Sequence, residues 1–274
     1  MILADTVRKF STEKFVDATD PEVYIMGKLQ PFAEVTNSGV SSQRRVLETS
    51  IDWEIPASRC LETPEETQII VGAKNVDYWF GSKVRYKYST APVRVRGSYG
   101  TVGQLLAGTP EFTDIPCFSY FVRRELDFIE RSDYLAGYEL YFPDLFNLHR
   151  GRIFYNDDFY FLLKSDTWVD GIGFLTTQVV RLEEPLCTVL VSNKEFDPVT
   201  ESYTGEEPVE VQAFVVDMSD CFEFYNVDAE KIQPGDKSVS ILKSLSTLTT
   251  ETKIGDMQVL SVKDFGDYVT AHCR

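Results

Sequence analysis

Few side chains in this sequence have the types and spacing that an enzyme needs. The only histidines are His149 and His272, and they form neither a His-x-x-x-His nor a His-x-His metal motif. No Gly-x-Ser-x-Gly nucleophile motif, Gly-x-Gly-x-x-Gly loop or phosphate-binding loop is present. We therefore predict no enzyme, no metal and no cofactor, and a hydrolase whose triad residues lie far apart in sequence stays an alternative.

Three pairs of adjacent carboxylates could be offered as metal ligands or acid/base pairs: Asp157-Asp158, Glu183-Glu184 and Glu206-Glu207. Neighbouring residues in a strand point to opposite faces, and in turns such carboxylates usually face water. We interpret them as solvated turns.

The cysteines are five in number and widely spaced: Cys60, Cys117, Cys187, Cys221 and Cys273. An odd count without a Cys-x-x-Cys pair favours reduced thiols over a disulfide framework or a structural zinc.

One stretch could contact nucleic acid, because Lys83, Arg85 and Lys87 alternate with Val84, Tyr86 and Tyr88. This candidate basic contact strand has a simpler interpretation as an ordinary half-buried strand. The net charge of −16 favours that interpretation, or a contact with an acidic neighbouring protein.

Negative charge rises along the chain. Residues 185–274 carry 7 basic and 16 acidic residues, a balance of −9. Phosphate binding needs Lys and Arg, so this segment should hold duplex DNA poorly.

No run approaches the roughly 18 apolar residues of a membrane span, and the first residues lack the apolar core of a signal peptide. We expect synthesis in the cytoplasm and no membrane contact.

The segment Gly151–Leu182 carries the clearest secondary-structure signal. Asn156-Asp157-Asp158 is a turn cluster between two strands, and Asp170-Gly171 suits a tight type I′ turn before an alternating strand. The pattern predicts three consecutive antiparallel strands. With abundant Phe, Tyr and Val, it indicates a mainly β protein with long loops and little helix. Residues 5–16 are predicted to form one short amphipathic helix.

Turn-rich stretches divide the chain into four parts. We predict an N-terminal β module at 1–92, a second module at 93–190, an acidic loop or linker at 191–208 and a C-terminal β module at 209–274. The C-terminal part echoes the second, since AFVVDMSDCFEFY is similar to CFSYFVRRELDFI and the final hairpins also correspond. We interpret this as an internal repeat, the alternative being that β meanders resemble one another by composition.

The second module resembles the head-completion, or stopper, proteins that sit in the neck of tailed bacteriophages. The resemblance rests on an arginine-bearing arm, a following strand, a hairpin and a final turn, at Arg94, Arg96, Gly97, Ser98 and Tyr99, 113–118, 151–160, and Trp168, Gly171, Gly173 and Arg181. It covers about a third of the chain, which is roughly twice as long as a usual stopper and lacks the expected proline-rich segment.

This resemblance implies small antiparallel β-barrels of the Src-homology-3-like kind, here in tandem. It also implies a structural virion protein that forms a homo-oligomeric ring in the neck. The ring would contact the portal or adaptor protein on one side and a tail terminator or tube protein on the other, and DNA would pass without tight binding. The alternative classes are a β-sandwich ligand-binding or tail-associated module and the hydrolase above.

The connector PDLFNLHR is unusually apolar for a loop. We predict that Leu145, Phe146 and Leu148 lie at a subunit interface, because exposed apolar clusters usually mark contact surfaces. The alternative is that they fold under the barrel and close its open end.

Overall fold

The computed structural model describes residues 13–31, 45–79, 81–124, 135–143, 145–169, 174–197, 202–205, 207–225 and 232–274. Strands dominate these residues, and the two helices found among them are short. The predicted fold class, mainly β with small antiparallel barrels in tandem, is confirmed.

The first barrel closes from six strands in the order β1-β2-β3-β6-β5-β4. These strands are β1 (Glu13–Asp17), β2 (Tyr24–Pro31), β3 (Arg45–Ser50), β4 (Cys60–Glu62), β5 (Gln68–Trp79) and β6 (Ser82–Pro92). A turn at Gly81 joins β5 to β6, and its φ of 80° suits glycine. The predicted helix is wrong for residues 13–16, which belong to β1 because Phe15 packs into the barrel core; residues 5–12 lie outside the described residues.

The second barrel closes in the order β11-β10-β7-β8-β9-β13, with β12 beside β13. Its elements are β7 (Val95–Gly100), helix α1 (Val102–Ala107), β8 (Phe112–Arg124), β9 (Leu135–Phe142), β10 (Ile153–Tyr155), β11 (Tyr160–Leu163), β12 (Trp168–Val169) and β13 (Leu175–Leu182). The predicted β10–β11 turn is confirmed, since Asn156 Oδ1 accepts the N–H groups of Asp158 and Phe159 at 2.9 and 3.1 Å. The predicted turn at Asp170-Gly171 lies outside the described residues.

The third barrel closes in the order β14-β17-β18-β21-β20-β19. Its elements are β14 (Leu186–Ser192), β17 (Val209–Asp217), helix α2 (Met218–Tyr225), β18 (Lys237–Leu242), β19 (Lys253–Ile254), β20 (Met257–Asp264) and β21 (Tyr268–Cys273), while β15 (Lys194–Asp197) and β16 (Ser202–Gly205) form a separate two-stranded sheet.

The boundary between the second and third modules differs from the predicted position at residue 190. Strand β14 pairs with β17 from Leu186 opposite Phe214 to Val191 opposite Val209, so it is the first strand of the third barrel. The acidic segment 191–208 is therefore not a linker between modules. Residues 193–208 are an insertion between the first two strands of one barrel.

All three barrels share one connectivity. Numbered along the chain within each barrel, the strands close in the order first, second, third, sixth, fifth, fourth. The segments that echo one another in the second and third modules occupy the second, fourth, fifth and sixth strands of their barrels. The chain thus contains three six-stranded barrels with the same strand order.

A connector of nine or ten residues joins the third strand to the fourth in each barrel. In each connector, the sixth residue after the end of the third strand is apolar and buried. This residue is Pro56 in the first barrel, Leu148 in the second and Leu248 in the third. Leu248 belongs to the core cluster of the third barrel, and Leu148 is fully buried. In the first barrel, Trp53 of this connector packs against the core. These connectors bring apolar side chains to one end of each barrel.

The residue contacts divide the chain into two compact units, one of Met1–Gly97, Asp114–Arg150 and Lys164–Val179 and one of Ser98–Thr113, Gly151–Leu163 and Val180–Arg274. In the second unit, α1 begins with a capping box between Thr101 and Gln104. Leu105 and Leu106 of this helix pack with Phe214 of β17.

Candidate functional site

A groove of about 760 Å³ lies at one end of the first barrel, which is a usual size for a ligand-binding cleft. It is formed where β1 and β3 begin, where β6 ends and where residues 63–67 connect β4 to β5. Because Arg45 at the start of β3 lines it and the apolar connector follows Ser50 at the end of β3, the groove and the connector are at opposite ends of the barrel.

The groove combines an apolar floor with a charged rim. Phe15 and Ile69 of the floor are buried core residues. Arg45 and Arg94 are exposed cations among the lining residues, which also include the carboxylates Glu13 and Glu65. Guanidinium groups can bind carboxylates in a planar, bidentate geometry. The two lining carboxylates balance the two arginines, so the charged side chains that line the groove sum to zero.

The hydroxyl groups near the groove are engaged within the chain. Thr63 and Thr67 place their Oγ1 atoms 2.7 Å apart, and Thr90 donates to the backbone oxygen of Arg45 at 3.0 Å. These contacts hold the rim in place and present no activated nucleophile among the three threonines.

Gln68 connects the groove to a half-buried arginine in the same unit. Its Oε1 accepts from Arg96 Nη2 at 2.9 Å, and Arg96 Nη1 donates to Asp114 at 2.8 Å. Arg96 Nη2 also lies 3.4 Å from Cys60 Sγ. Burial raises the pKa of the Cys60 thiol to about 11, although the nearby guanidinium opposes the shift. Cys60 is therefore a neutral thiol near pH 7 and a poor nucleophile.

The candidate basic contact strand lies on β6, where two of its three cations are paired within the barrel. Arg85 donates to Asp77 at 2.7 Å and to Glu48 at 2.9 Å, and Lys87 lies 2.8 Å from Asp77. Burial opposes ionisation of Asp77, but hydrogen bonds from Lys87 and Arg85 lower its pKa. Lys83 is exposed. This arrangement reduces the positive charge that Arg85 and Lys87 offer to a phosphate.

The three apolar residues of the connector PDLFNLHR have different environments. Leu148 is fully buried, and its backbone accepts the N–H of Thr167 at 2.9 Å. Leu145 is 48% exposed and Phe146 is partly buried. Leu148 is thus a core residue, and the interface prediction remains for Leu145 and Phe146. Leu245, at the same position of the third barrel's connector, is likewise 48% exposed.

The two histidines are far apart in sequence and in separate units. His149 is exposed beside Asp166. His272 is buried, and its Nε2 lies 2.7 Å from Asp236 Oδ2. Ser238 stands opposite His272 on β18, but its buried hydroxyl has no hydrogen-bond partner in the described structure, so Ser238 and His272 are not joined as a nucleophile and a base.

Asp236 is a buried carboxylate of the third barrel with several hydrogen-bond donors. Arg274 donates to both of its oxygens, at 2.8 and 2.9 Å, and the N–H of Gln233 donates at 2.9 Å. These bonds, led by that from Arg274, hold the pKa of Asp236 far below its ordinary value although burial opposes the shift. The cluster ties the loop before β18 to the end of β21.

The predicted solvated turns are exposed where they are described, at Asp157-Asp158, Glu183-Glu184 and Glu207; Glu206 lies outside the described residues. Within the described part of the chain, no group of three or more His, Cys, Asp or Glu side chains is placed to hold a metal ion. No helix of that part is long and apolar enough to cross a membrane.

The five cysteines are free thiols, and Cys187 alone among them is exposed.

Sequence reasoning did not find the groove or the Asp236 cluster. Their residues come from separate strands and carry no common local motif, so only closure of the barrels brings them together.

Comparison of the chain with protein-family models, with curated proteins and with solved structures finds no match.

Proposed function

We propose that this chain is a non-enzymatic structural protein of a tailed phage, forming a homo-oligomeric ring in the neck that joins the portal or adaptor to the tail. The observation that carries the proposal is the threefold use of one closed barrel. The first and third copies each bury a core of their own, so these barrels are rigid building blocks and the surfaces left over serve assembly.

Closed barrels suit such a role because closure leaves few unpaired sheet edges to aggregate in the crowded assembly of a particle. The connectors fill one end of the barrels with apolar side chains such as Leu148 and Leu248. The resemblance of the second module to stopper proteins points in the same direction, and it lies on one of these barrels.

The charge distribution supports passage of DNA without tight binding. Residues 185–274 have a balance of −9, and Arg85 and Lys87 of the basic strand are paired with Asp77 and Glu48. A wall poor in unpaired Lys and Arg releases few counterions and holds a duplex weakly. In a gel-shift titration at low and physiological salt, we expect only weak binding; tight binding that falls steeply with salt would contradict this part.

The location is tested by gold-labelled antibodies against the chain, applied to tailed particles from cells that carry its gene. The proposal expects gold at the junction of head and tail. Gold on the tail tip or fibres, or particles without label, would contradict it.

A ligand-binding module is the second candidate, and the groove with Arg45 and Arg94 favours it. A binding module in this sense would act as a monomer or trimer without a ring. Label on the tail tip together with an unassembled purified chain would favour this candidate.

A further inference from the structure

The first barrel keeps one open sheet edge, where β5 runs past its short neighbour β4. Strand β4 pairs with β5 only along residues 68–70. Just beyond them, the N–H of Val71 donates to the backbone oxygen of Arg59 at 2.9 Å. Within the described part of the chain, no strand pairs with residues 73–79 on the side that faces away from β6. Barrel closure therefore leaves this stretch, here named the β5 edge, without a strand partner.

An open edge is a template for pairing with another chain, because its outward backbone N–H and C=O groups lack partners. Lys74, Asn75 and Tyr78 of the β5 edge are exposed, and the edge contains no proline. Each copy of the chain carries the same edge. The β5 edge of a second copy is therefore the commonest strand that it can meet.

Two irregularities in the β5–β6 pairing shorten the usable part of the β5 edge. The register shifts between Val71 and Lys74, and it shifts again between Asp77 and Tyr78. Bulges of this kind interrupt the hydrogen-bond ladder and increase the local twist of the strands. A regular edge therefore runs only from Lys74 to Asp77.

Lys74 places a charge on the core-facing side of this short edge. It stands opposite Tyr88, a buried member of the first barrel's core, so the two side chains lie on the same face of the sheet. The Lys74 side chain is exposed, and its Nζ lies 3.5 Å from the centroid of the Tyr86 ring. An incoming strand would remove water from this ammonium group, which opposes pairing.

Two β5 edges would also bring like charges together. In an antiparallel pair centred on Asn75, the two Lys74 side chains lie on one face, and strand spacing places their Cα atoms about 8 Å apart. This separation is about one Debye length at physiological salt, so the two charges repel each other.

We propose that Lys74, flanked by the two register shifts, keeps the β5 edge from pairing with the β5 edge of a second copy. The contact that it blocks is a continuous sheet across two first barrels. This inference does not rest on the proposed ring.

Replacing Lys74 with valine tests the proposal in the full chain, because valine removes the charge and favours strand pairing. Sedimentation velocity over a concentration series measures association, and hydrogen exchange in peptides that contain residues 73–79 locates the contact. We expect Lys74→Val to associate at a concentration about tenfold or more below that of the wild type. Its association should slow exchange of the outward amides of the β5 edge.

Lys28→Val is the matched control, because Lys28 is exposed on β2, which lies between β1 and β3. It adds the same apolar side chain away from the open edge and should associate like the wild type. Lys74→Arg keeps the charge and should do the same. Circular dichroism identifies variants that fail to fold, and Lys74→Thr, also uncharged and β-branched, replaces Lys74→Val if that variant does not fold.

Association of Lys74→Val equal to that of the wild type would overturn the proposal. Equal gains in Lys28→Val or Lys74→Arg would overturn it as well, because the charge at the edge would then not be the cause. Slow exchange of the outward amides in the unassociated wild type would show that the β5 edge is already covered, with the same consequence. A wild-type chain that forms no ring would contradict the proposed function and leave this inference standing.

Discussion

Replacing Asp236 with Asn tests whether one buried carboxylate holds the third barrel together. The side chain is fully buried and accepts four hydrogen bonds, two from Arg274, one from the Gln233 N–H and one shared with His272. An amide keeps the shape but removes the charge, and its NH₂ group must face other donors.

Breaking a buried ionic pair costs about 3–5 kcal/mol. Arg274 is 40% exposed and can be rehydrated, so we expect the low end, a loss of about 3 kcal/mol in the free energy of unfolding. This corresponds to a fall of about 9 °C in the melting temperature for a chain of this size. Urea titration and thermal melting followed by circular dichroism measure the change.

Asp264→Asn is the matched control, because Asp264 pairs with Lys243 on the surface of the same barrel and should show no measurable effect. A melting temperature of Asp236→Asn equal to that of the wild type would refute the structural role of the cluster.

The pH dependence has a defined sign. The folded pKa of Asp236 is lowered, so its contribution is fully present above the unfolded pKa of about 3.9 and is lost as the pH falls toward the folded value. The stability difference between wild type and Asp236→Asn should therefore be constant near pH 7 and shrink below about pH 4. A difference that grows on acidification would contradict this.

Three further predictions concern packing and thiol reactivity. Gly103→Ala should destabilise the chain by about 2 kcal/mol in urea titration, because a Cβ there would lie 2.6 Å from the ring of Tyr268; stabilisation would contradict the contact. Leu148→Ala should cost about 3 kcal/mol and Leu145→Ala less than about 0.5 kcal/mol, and equal effects would contradict their different burial. In thiol titration of the native chain, Cys187 should react first, and rapid reaction of all five thiols would contradict their burial.

Turns and hairpins that depend only on residues close together in sequence could be predicted from local sequence patterns. The β10–β11 turn was predictable because Asn156 hydrogen-bonds to the backbone two and three residues on. The β5–β6 hairpin also has a local signal, because Gly81 lies between two strands and adopts a positive φ.

Helix α1 was missed although its signal is local. The sequence Thr101-Val-Gly-Gln104 is a capping box, and Gly108 ends the helix in the left-handed conformation. The glycines at 97, 100, 103 and 108 obscure this signal, because such closely spaced glycines are more typical of bends than of a helix. At Gly103 the glycine reflects the close approach of Tyr268.

The module boundary, the groove and the Asp236 cluster depend on contacts between distant strands. Nothing in the sequence of β14 shows that it pairs with β17 beyond the acidic insertion. The same holds for Asp236 and Arg274, which are 38 residues apart. Their positions follow from barrel closure, which no local period encodes.

The central claim is that this chain of three like barrels assembles into a ring, and negative-stain electron microscopy of the purified full chain over a concentration series tests it most directly. The account predicts class averages of closed rings with a central opening. Isolated single chains at every concentration would contradict it.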